Sequence, residues 1–316
     1  MYTDYYGFRQ EPFTLTPNPE FLFLSGNHQE AFAHLLYGID SRAGFIELTG
    51  EVGAGKTTLI RTLLSRLSPE EYRTALIFSP PPTPLALIQA ICRELTISME
   101  GNDLQEMLQR LYLFLLEECG AGRRVVLVID EAQTLPIPVL EQLRLVSNLE
   151  TERQKLIQIV LVGQPELKEI LSRHELRQLA QRITVRYHLH PMDRQDTKEY
   201  ISHRLRVASG GRPVVTFSPG AVRHIHRFAH GLPRLINAAC DRSLLLGFTR
   251  ESGLITPAMA KNAIADVQRD LHPKQATLRP FVLALLILSL IAIAGYIARR
   301  ELYLARNAPT RSGVTP

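Results

Sequence analysis

Residues 50–57 read Gly50-Glu51-Val52-Gly53-Ala54-Gly55-Lys56-Thr57 and meet the pattern G-x-x-x-x-G-K-[ST] at every fixed position. The chemistry this spacing serves is the grip on a polyphosphate. Glycines let the backbone turn its N–H groups inward around phosphate oxygens. Lys56 reaches the β and γ oxygens, the Thr57 hydroxyl holds a magnesium ion, and the helix continuing through Thr58 points its positive end at the anion. An acidic pair, Asp130-Glu131, ends the continuous apolar run 125–129. At the mouth of a buried strand, Asp130 is placed to bind the metal through water, and Glu131 to orient and deprotonate an attacking water. The other reading of the pair is a solvated acidic loop. Together the two motifs predict binding and hydrolysis of ATP with Mg2+.

Other single residues extend this reading. Gln164 follows the apolar run 158–162 and either touches the γ-phosphate or the attacking water, or is a satisfied loop amide. Arg234, in Gly231-Leu232-Pro233-Arg234, opens a helix from which a cation can swing onto the γ-phosphate and link nucleotide state to domain closure. Arg182 is placed to act as a finger at a neighbouring copy's site, with Arg177 and Arg186 as rivals, which implies a homo-oligomer. His188, His190, His224, His226 and His230 fall on different elements with no carboxylate in ligand spacing and read as surface or capping residues.

These groups need a frame. Apolar runs at 45–48, 74–78, 125–129, 158–162 and 184–189 alternate with helical patterns at 57–67, 85–95, 104–118 and 139–149, the third of these capped by Asp103. Five buried strands with intervening helices predict an α/β fold, a doubly wound parallel sheet over residues 44–190. Beyond Pro191 the strand signals stop. Ser218-Pro219 and Thr256-Pro257 each pair an N-cap with a proline in the first turn, so 191–271 is expected to be a small all-helical lid domain. Residues 1–43 form an N-terminal segment, and 272–280 a linker.

The chain has 316 residues, 45% hydrophobic and 21% charged, with a net charge of +5, a balance that excludes a disordered chain. The mild excess of cations permits nucleic acid or anionic lipid as partner without requiring either. Cys92, Cys119 and Cys240 lie far apart with no C-x-x-C; they are expected to be buried reduced thiols of a cytoplasmic domain, with no structural zinc. Residues 1–10 lack the features of a secretory signal. Residues 281–298 carry no charge and would make a helix roughly 27 Å long at 1.5 Å per residue, near a hydrocarbon core of about 30 Å. They are expected to be a single transmembrane helix, with 299–316 as a short tail. Flanking cations taken alone favour a cytoplasmic tail, but the need for cytosolic ATP puts the ATPase part in the cytoplasm instead.

The loop at 50–57, Ile129-Asp130-Glu131-Ala132-Gln133, the stretch 162–167 (VGQPEL), Gln181-Arg182 and 231–234 (GLPR) together resemble an AAA+ ATPase of the ExeA-like branch, the general secretion pathway protein A type. Tyr6-Gly7-Phe8, Pro12-Phe13 and His28 to Leu36 resemble the same family's N-terminal segment, so the likeness covers about residues 1–270. The resemblance implies that the strand before Gln164 lies between the two motif strands. It makes Gln164 the sensor-1 residue, where AAA+ proteins at large carry Asn, Ser or Thr, Arg234 sensor 2, and Arg182 the best finger candidate. The function expected is a bacterial inner-membrane ATPase that drives or regulates assembly of an envelope system through a partner protein. That system is type II secretion-like, or a pilus or polysaccharide exporter. A DNA-binding ATPase of the transposition or replication-initiator kind is the alternative; the apolar span and the lack of a dense Lys/Arg run in 191–271 count against nucleic acid. A scaffold that only senses ATP is the third reading.

Overall fold

The computed structural model describes residues 1–14, 18–98, 103–151, 154–271 and 279–306. The chain divides into two compact units, Met1–Val267 and Gln268–Pro316. The first begins with α1 (Tyr2–Tyr5) and α2 (Gly26–Asp40), then β1 (Phe45–Gly50), α3 (Lys56–Arg66), β2 (Tyr72–Ile77), α4 (Pro84–Glu94) and α5 (Leu104–Gly120). It continues with β3 (Arg124–Ile129), α6 (Ile137–Val146), β4 (Ile157–Gly163), α7 (Glu166–Leu171), α8 (Arg177–Ala180) and β5 (Ile183–Leu189). Then come α9 (Arg194–Ala208), β6 (Thr216–Phe217), α10 (Pro219–Ala229), α11 (Pro233–Thr249), β7 (Leu254–Ile255) and α12 (Pro257–Leu271), which runs past the boundary between the units.

The large sheet has the order β2-β3-β4-β1-β5 with every pairing parallel. Its three inner strands, β3, β4 and β1, are buried on both faces because both faces are covered there, whereas the edge strands β2 and β5 each expose residues. Val125, Leu127 and Ile129 of β3 enter a core shared with Leu87 and Ile91 of α4, Leu111 and Leu115 of α5 and Leu140 and Leu143 of α6. Val126 and Val128 face a second core with Leu35 and Ile39 of α2 and Leu59 and Leu63 of α3. Each such side chain contributes about 1.5–3 kcal/mol when fully buried. The doubly wound sheet read from the apolar runs is therefore the one observed, and β4 does lie between β1 and β3.

The helical layer after β5 has a core of its own, built from α9, α10, α11 and α12 with Tyr6, Phe8, Phe13 and Phe21 of the N-terminal segment. The hydroxyl of Ser218 accepts from the Ala221 N–H at 3.2 Å, so the Ser-Pro signal marks a real cap. The expectation of an all-helical 191–271 needs correction. Thr216–Phe217 and Leu254–Ile255 pair as two short parallel strands. Two residues are too few for strand alternation to be read in a sequence.

In the second unit, α13 runs over Arg279–Arg306. The expected linker thus ends a residue or two earlier than read, and its residues 272–278 lie outside the described residues, as do 307–316 of the expected tail. The expected transmembrane helix is not met among the described residues: no helix there is long and apolar enough to cross a membrane. The expected span includes 281–285 and 287, whose side chains lie outside the described set. Among its described side chains, Leu286, Leu288, Leu290, Ile291, Ile293 and Ile297 are each more than half exposed. Of the three cysteines, none is in a disulfide; Cys92 and Cys240 are buried, whereas Cys119 is only half-buried.

Candidate active site

Strand β1 ends at Gly50 and α3 begins at Lys56, so residues 51–55 must reverse the chain within five positions. Gly53 (φ 79°) and Gly55 (φ 100°) do this in the left-handed region, which L side chains enter at a cost of roughly 1–2 kcal/mol. Both are also closely approached. A Cβ on Gly53 would stand 2.8 Å from Arg234 Cβ, and one on Gly55 would stand 2.9 Å from His28 Nε2. Lys56 is buried, and its Nζ donates to the carbonyls of Gly50 (2.7 Å) and Glu51 (3.0 Å). Burial pushes the ammonium below its ordinary pKa, against the pull of the Glu131 and Asp130 carboxylates.

Beside it, at the end of β3, Asp130 is buried; its Oδ2 accepts from the Thr57 hydroxyl (2.6 Å) and its Oδ1 from the Glu131 N–H (2.9 Å). Glu131 is a non-glycine residue at φ 53°, a strained turn that throws its side chain out of line with the strand. Its Oε2 accepts from Gln133 Nε2 (2.6 Å) and from Gln164 Nε2 (3.1 Å).

A cleft of about 390 Å³ opens over these groups. Val52, Gly53, Gly55, Lys56, Thr57, Thr58, Glu131 and Arg234 line it. Gly50, Ala54 and Asp130 lie buried beneath, Glu51 is exposed beside the loop, and Gln164 sits one hydrogen bond behind Glu131. The cleft also has an apolar end that was not read from the sequence, with Phe21, Leu22 and Phe23 of the N-terminal segment facing Met192 and Tyr200. The segment is tied across the helical layer: Tyr6 Oη donates to the Ser252 carbonyl (3.0 Å), Asn237 Nδ2 to the Thr14 carbonyl (3.3 Å), and Arg204 Nε to the Pro12 carbonyl.

Arg182 is not brought to the cleft. It stands just before β5, at the end of the sheet remote from the loop, since β1 pairs Phe45 with Ile183 and Gly50 with Leu189. That is about 20 Å along the strand. Its Nη1 donates to Ser147 Oγ (2.9 Å), to the Arg144 carbonyl (3.4 Å) and to Asn148 Oδ1, holding the C-terminus of α6. The rival Arg186 lies 3.6 Å from Glu47 and donates to the Ala180 carbonyl, and Arg177 is exposed on α8.

Sequence reasoning missed two residues. Gln133 was visible only as the last letter of a family-like stretch, with nothing in its spacing to mark it. His28 is buried at the start of α2, and its Nε2 donates to the Ala54 carbonyl at 3.0 Å. Its Nδ1, in the neutral ring, accepts from the Ser25 hydroxyl at 2.7 Å. His28 thus braces the phosphate-type loop from outside, across 26 positions of sequence.

A divalent ion fits the donors present. The Thr57 hydroxyl and an Asp130 carboxylate oxygen are already in contact, and both are hard oxygen ligands of the kind magnesium takes alongside phosphates and waters. Among the described residues no group of three or more His, Cys, Asp or Glu could hold a metal by itself.

One sequence reading is revised here. No dense cationic run is visible in 191–271, yet the fold assembles a cluster. Arg223, His226, Arg227 and His230 follow i, i+3, i+4, i+7 spacing along α10 and its C-cap, opposite the buried Ala221, Val222, Ile225 and Ala229. With Arg194 and the carboxylate of Asp193 they line a shallow depression. Residues three and four apart share a helix face, which the linear sequence hides.

Comparisons with known proteins agree with this geometry. A family model described as "AAA domain" matches residues 39–171. General secretion pathway protein A of Aeromonas hydrophila is 47% identical over 253 residues, which are 80% of this chain and 46% of that protein. The chain therefore spans about half the length of the curated relative it matches. Among solved structures, Aeropyrum pernix ORC2 in its ADPNP-ADP complexes superposes with a TM-score of 0.62 at 17% identity, covering 82% of this chain and 72% of that one. Cdc6p from Pyrobaculum aerophilum gives 0.62 at 18% identity, covering 78% and 70%. At such identities the likeness is one of fold.

His28 allows a test. Burial lowers its pKa below the ordinary value near 6.5, with the Ala54 contact and the Asp196 charge opposing. A depressed histidine adds stability that is present above the unfolded value and is lost as pH falls through the folded one. Thermal unfolding of the protein should therefore move to lower temperature between pH 7.5 and pH 5.5. In His28→Gln that fall should be smaller, and an equal fall in both proteins would contradict the assignment.

Proposed function

The chain belongs to the AAA+ P-loop ATPases, on the branch of general secretion pathway protein A, and from that premise we propose that it binds MgATP in the cleft beside Lys56 and hydrolyses it to drive or regulate assembly of a bacterial envelope system. The observation that carries the hydrolytic part is Glu131, held on the cleft wall beside the loop's lysine and the Thr57–Asp130 pair.

In this reading the amides of 50–57 and the Lys56 ammonium hold the triphosphate. Lys56 exchanges the Gly50 and Glu51 carbonyls for phosphate oxygens, a transfer that favours an anion because the ammonium is already desolvated. Thr57 and Asp130 would hold the magnesium ion, which would supply positive charge against the phosphate oxygens. Water attacks the γ-phosphorus while Glu131 takes its proton, the bond from the γ-phosphorus to the β–γ bridging oxygen breaks, and ADP leaves with that oxygen and the electron pair, giving ADP and phosphate. Gln164 meets the γ-phosphate or the water. Arg234, on the first turn of α11, brings the helical layer 191–271 down as a lid. The apolar end of the cleft, formed partly by the N-terminal segment 1–43, takes the base. Arg182 serves as a finger at the neighbouring copy in a homo-oligomer; its own site lies about 20 Å away along β5, so it can act only in trans.

The envelope role rests on the 47% identity to general secretion pathway protein A and on α13. In this helix of 28 residues the described side chains of Leu286, Leu288, Leu290, Ile291, Ile293 and Ile297 are each more than half exposed. Lipid is the solvent that suits it. We assign 281–298 as a single inner-membrane span with the ATPase part in the cytoplasm. The system served is type II secretion-like, with pilus or polysaccharide export as variants, acting through an envelope partner protein. A second reading, an ATP-switched DNA-binding protein, is favoured by the cationic face of α10, since arginines along one helix face are the footprint of phosphate-backbone contacts.

Lys56→Ala should lose ATP binding in calorimetry, whereas Glu131→Gln should bind ATP and turn it over about 10²–10⁴-fold more slowly. Normal turnover by Glu131→Gln would end the water-activation role. The full chain should sediment with membranes and resist carbonate extraction; release by carbonate would remove the span. Duplex DNA should not bind the detergent-solubilised chain. Micromolar binding that weakens steeply with salt and is lost in Arg223→Glu/Arg227→Glu would instead choose the second reading.

A further inference from the structure

Gln133 lies outside every role assigned so far, yet its amide is the hub of the hydrogen bonds behind Glu131. The backbone N–H of Gln164 can only donate, so the atom of Gln133 that it meets at 3.1 Å is the carbonyl oxygen Oε1. That contact fixes which way the amide faces. Its NH2 group is thereby turned to Glu131, where Nε2 donates to Oε2 at 2.6 Å. The passage for this side chain is cut to size: a Cβ on Gly163, the last residue of β4, would stand 2.8 Å from Gln133 Oε1 and 3.0 Å from Leu167 Cδ2.

The result is a closed loop of contacts. Gln164 donates through its backbone to Gln133, Gln133 donates to Glu131, and Gln164 donates through its side chain to the same carboxylate oxygen at 3.1 Å. Both bonds to the carboxylate fall on Oε2 and neither on Oε1, so the carboxylate is gripped by one oxygen. The backbone beneath it is at φ 53°, a conformation that needs outside support.

We propose that Gln133 is a positioning residue that sets the rotamer of Glu131 and locks it to Gln164, so that the base and the Gln164 amide move as one body. The proposal rests on the reading of Glu131 as the base that takes the proton of water. Gln133 reaches the reaction only through Glu131 and Gln164. It therefore governs the chemical step and leaves nucleotide affinity alone.

The test uses the full chain in detergent, with steady-state ATPase kinetics, the Kd of a non-hydrolysable ATP analogue and thermal unfolding. Gln133→Leu keeps the bulk and removes both hydrogen bonds. It should lower kcat by about 10–100-fold, the cost of a misplacement near 1 Å, with the Kd unchanged within twofold. In a Glu131→Gln background the same substitution should add nothing further to the loss of kcat, because its target is already gone. Gln133→Glu retains the acceptor for the Gln164 N–H but sets a carboxylate against Glu131; it should lose kcat as well, and it replaces Gln133→Leu if that protein does not fold. Wild-type kcat in the folded Gln133 variants, alongside a slow Glu131→Gln, overturns the positioning role and spares the base. A loss that multiplies with Glu131→Gln overturns it too. Wild-type turnover by Glu131→Gln itself would instead overturn the base.

Discussion

A backbone that offers its amide groups to phosphate must turn them all to one side, and between Gly50 and Lys56 the chain does this by passing twice through the left-handed region. Two glycines make the turn possible; they do not make it rigid. Rigidity comes from outside the loop. His28 holds the Ala54 carbonyl from the N-terminal side, and Arg234 packs on Gly53 from the helical layer. The loop is thus the point where three parts of the chain meet, and a phosphate seated there would be felt by all of them.

The sheet order gives the loop its chemical company. In a doubly wound sheet the carboxyl ends of the strands carry the ligand, and β1, β4 and β3 are neighbours. Their ends bring the loop, Gln164 and the acidic pair to one edge. The charges there are costly to bury. Lys56 and Asp130 are both shielded from water, and each is held by hydrogen bonds to its surroundings. Lys56 is bound to the loop's own carbonyls and Thr57 to Asp130, so at these two side chains a phosphate or a metal ion would replace a contact that already exists.

The N-terminal segment joins the core of the helical layer to the core on one face of the sheet. Its aromatic residues Tyr6, Phe8 and Phe13 are buried with the helical layer, Phe21 to Phe23 line the cleft, and α2 packs on the sheet. The loop thus touches the N-terminal segment through His28 and the helical layer through Arg234. In the second unit, the described leucine and isoleucine side chains of α13 are more than half exposed.

The sequence alone determined what local pattern can carry. The loop at 50–57 was legible because its glycines and lysine are contiguous. The inner strands showed most plainly because both of their faces are covered, and the caps at Asp103 and Ser218 showed because capping acts over three residues. What depends on distant segments was decided only by the tertiary structure. Gln133 and His28 looked like ordinary polar residues until folding set them against Glu131 and Ala54. The cationic face of α10 was dispersed in the sequence, and the β6–β7 pair was too short to read. The sequence offered Arg182 as a finger at a neighbouring copy, and its anchoring to the end of α6 appeared only in the folded chain. The division has one physical cause. Periodicity and capping are properties of a few consecutive residues, whereas a hydrogen bond between side chains far apart in sequence exists only once packing has placed both partners within about 3 Å and shut out the water that would otherwise satisfy them.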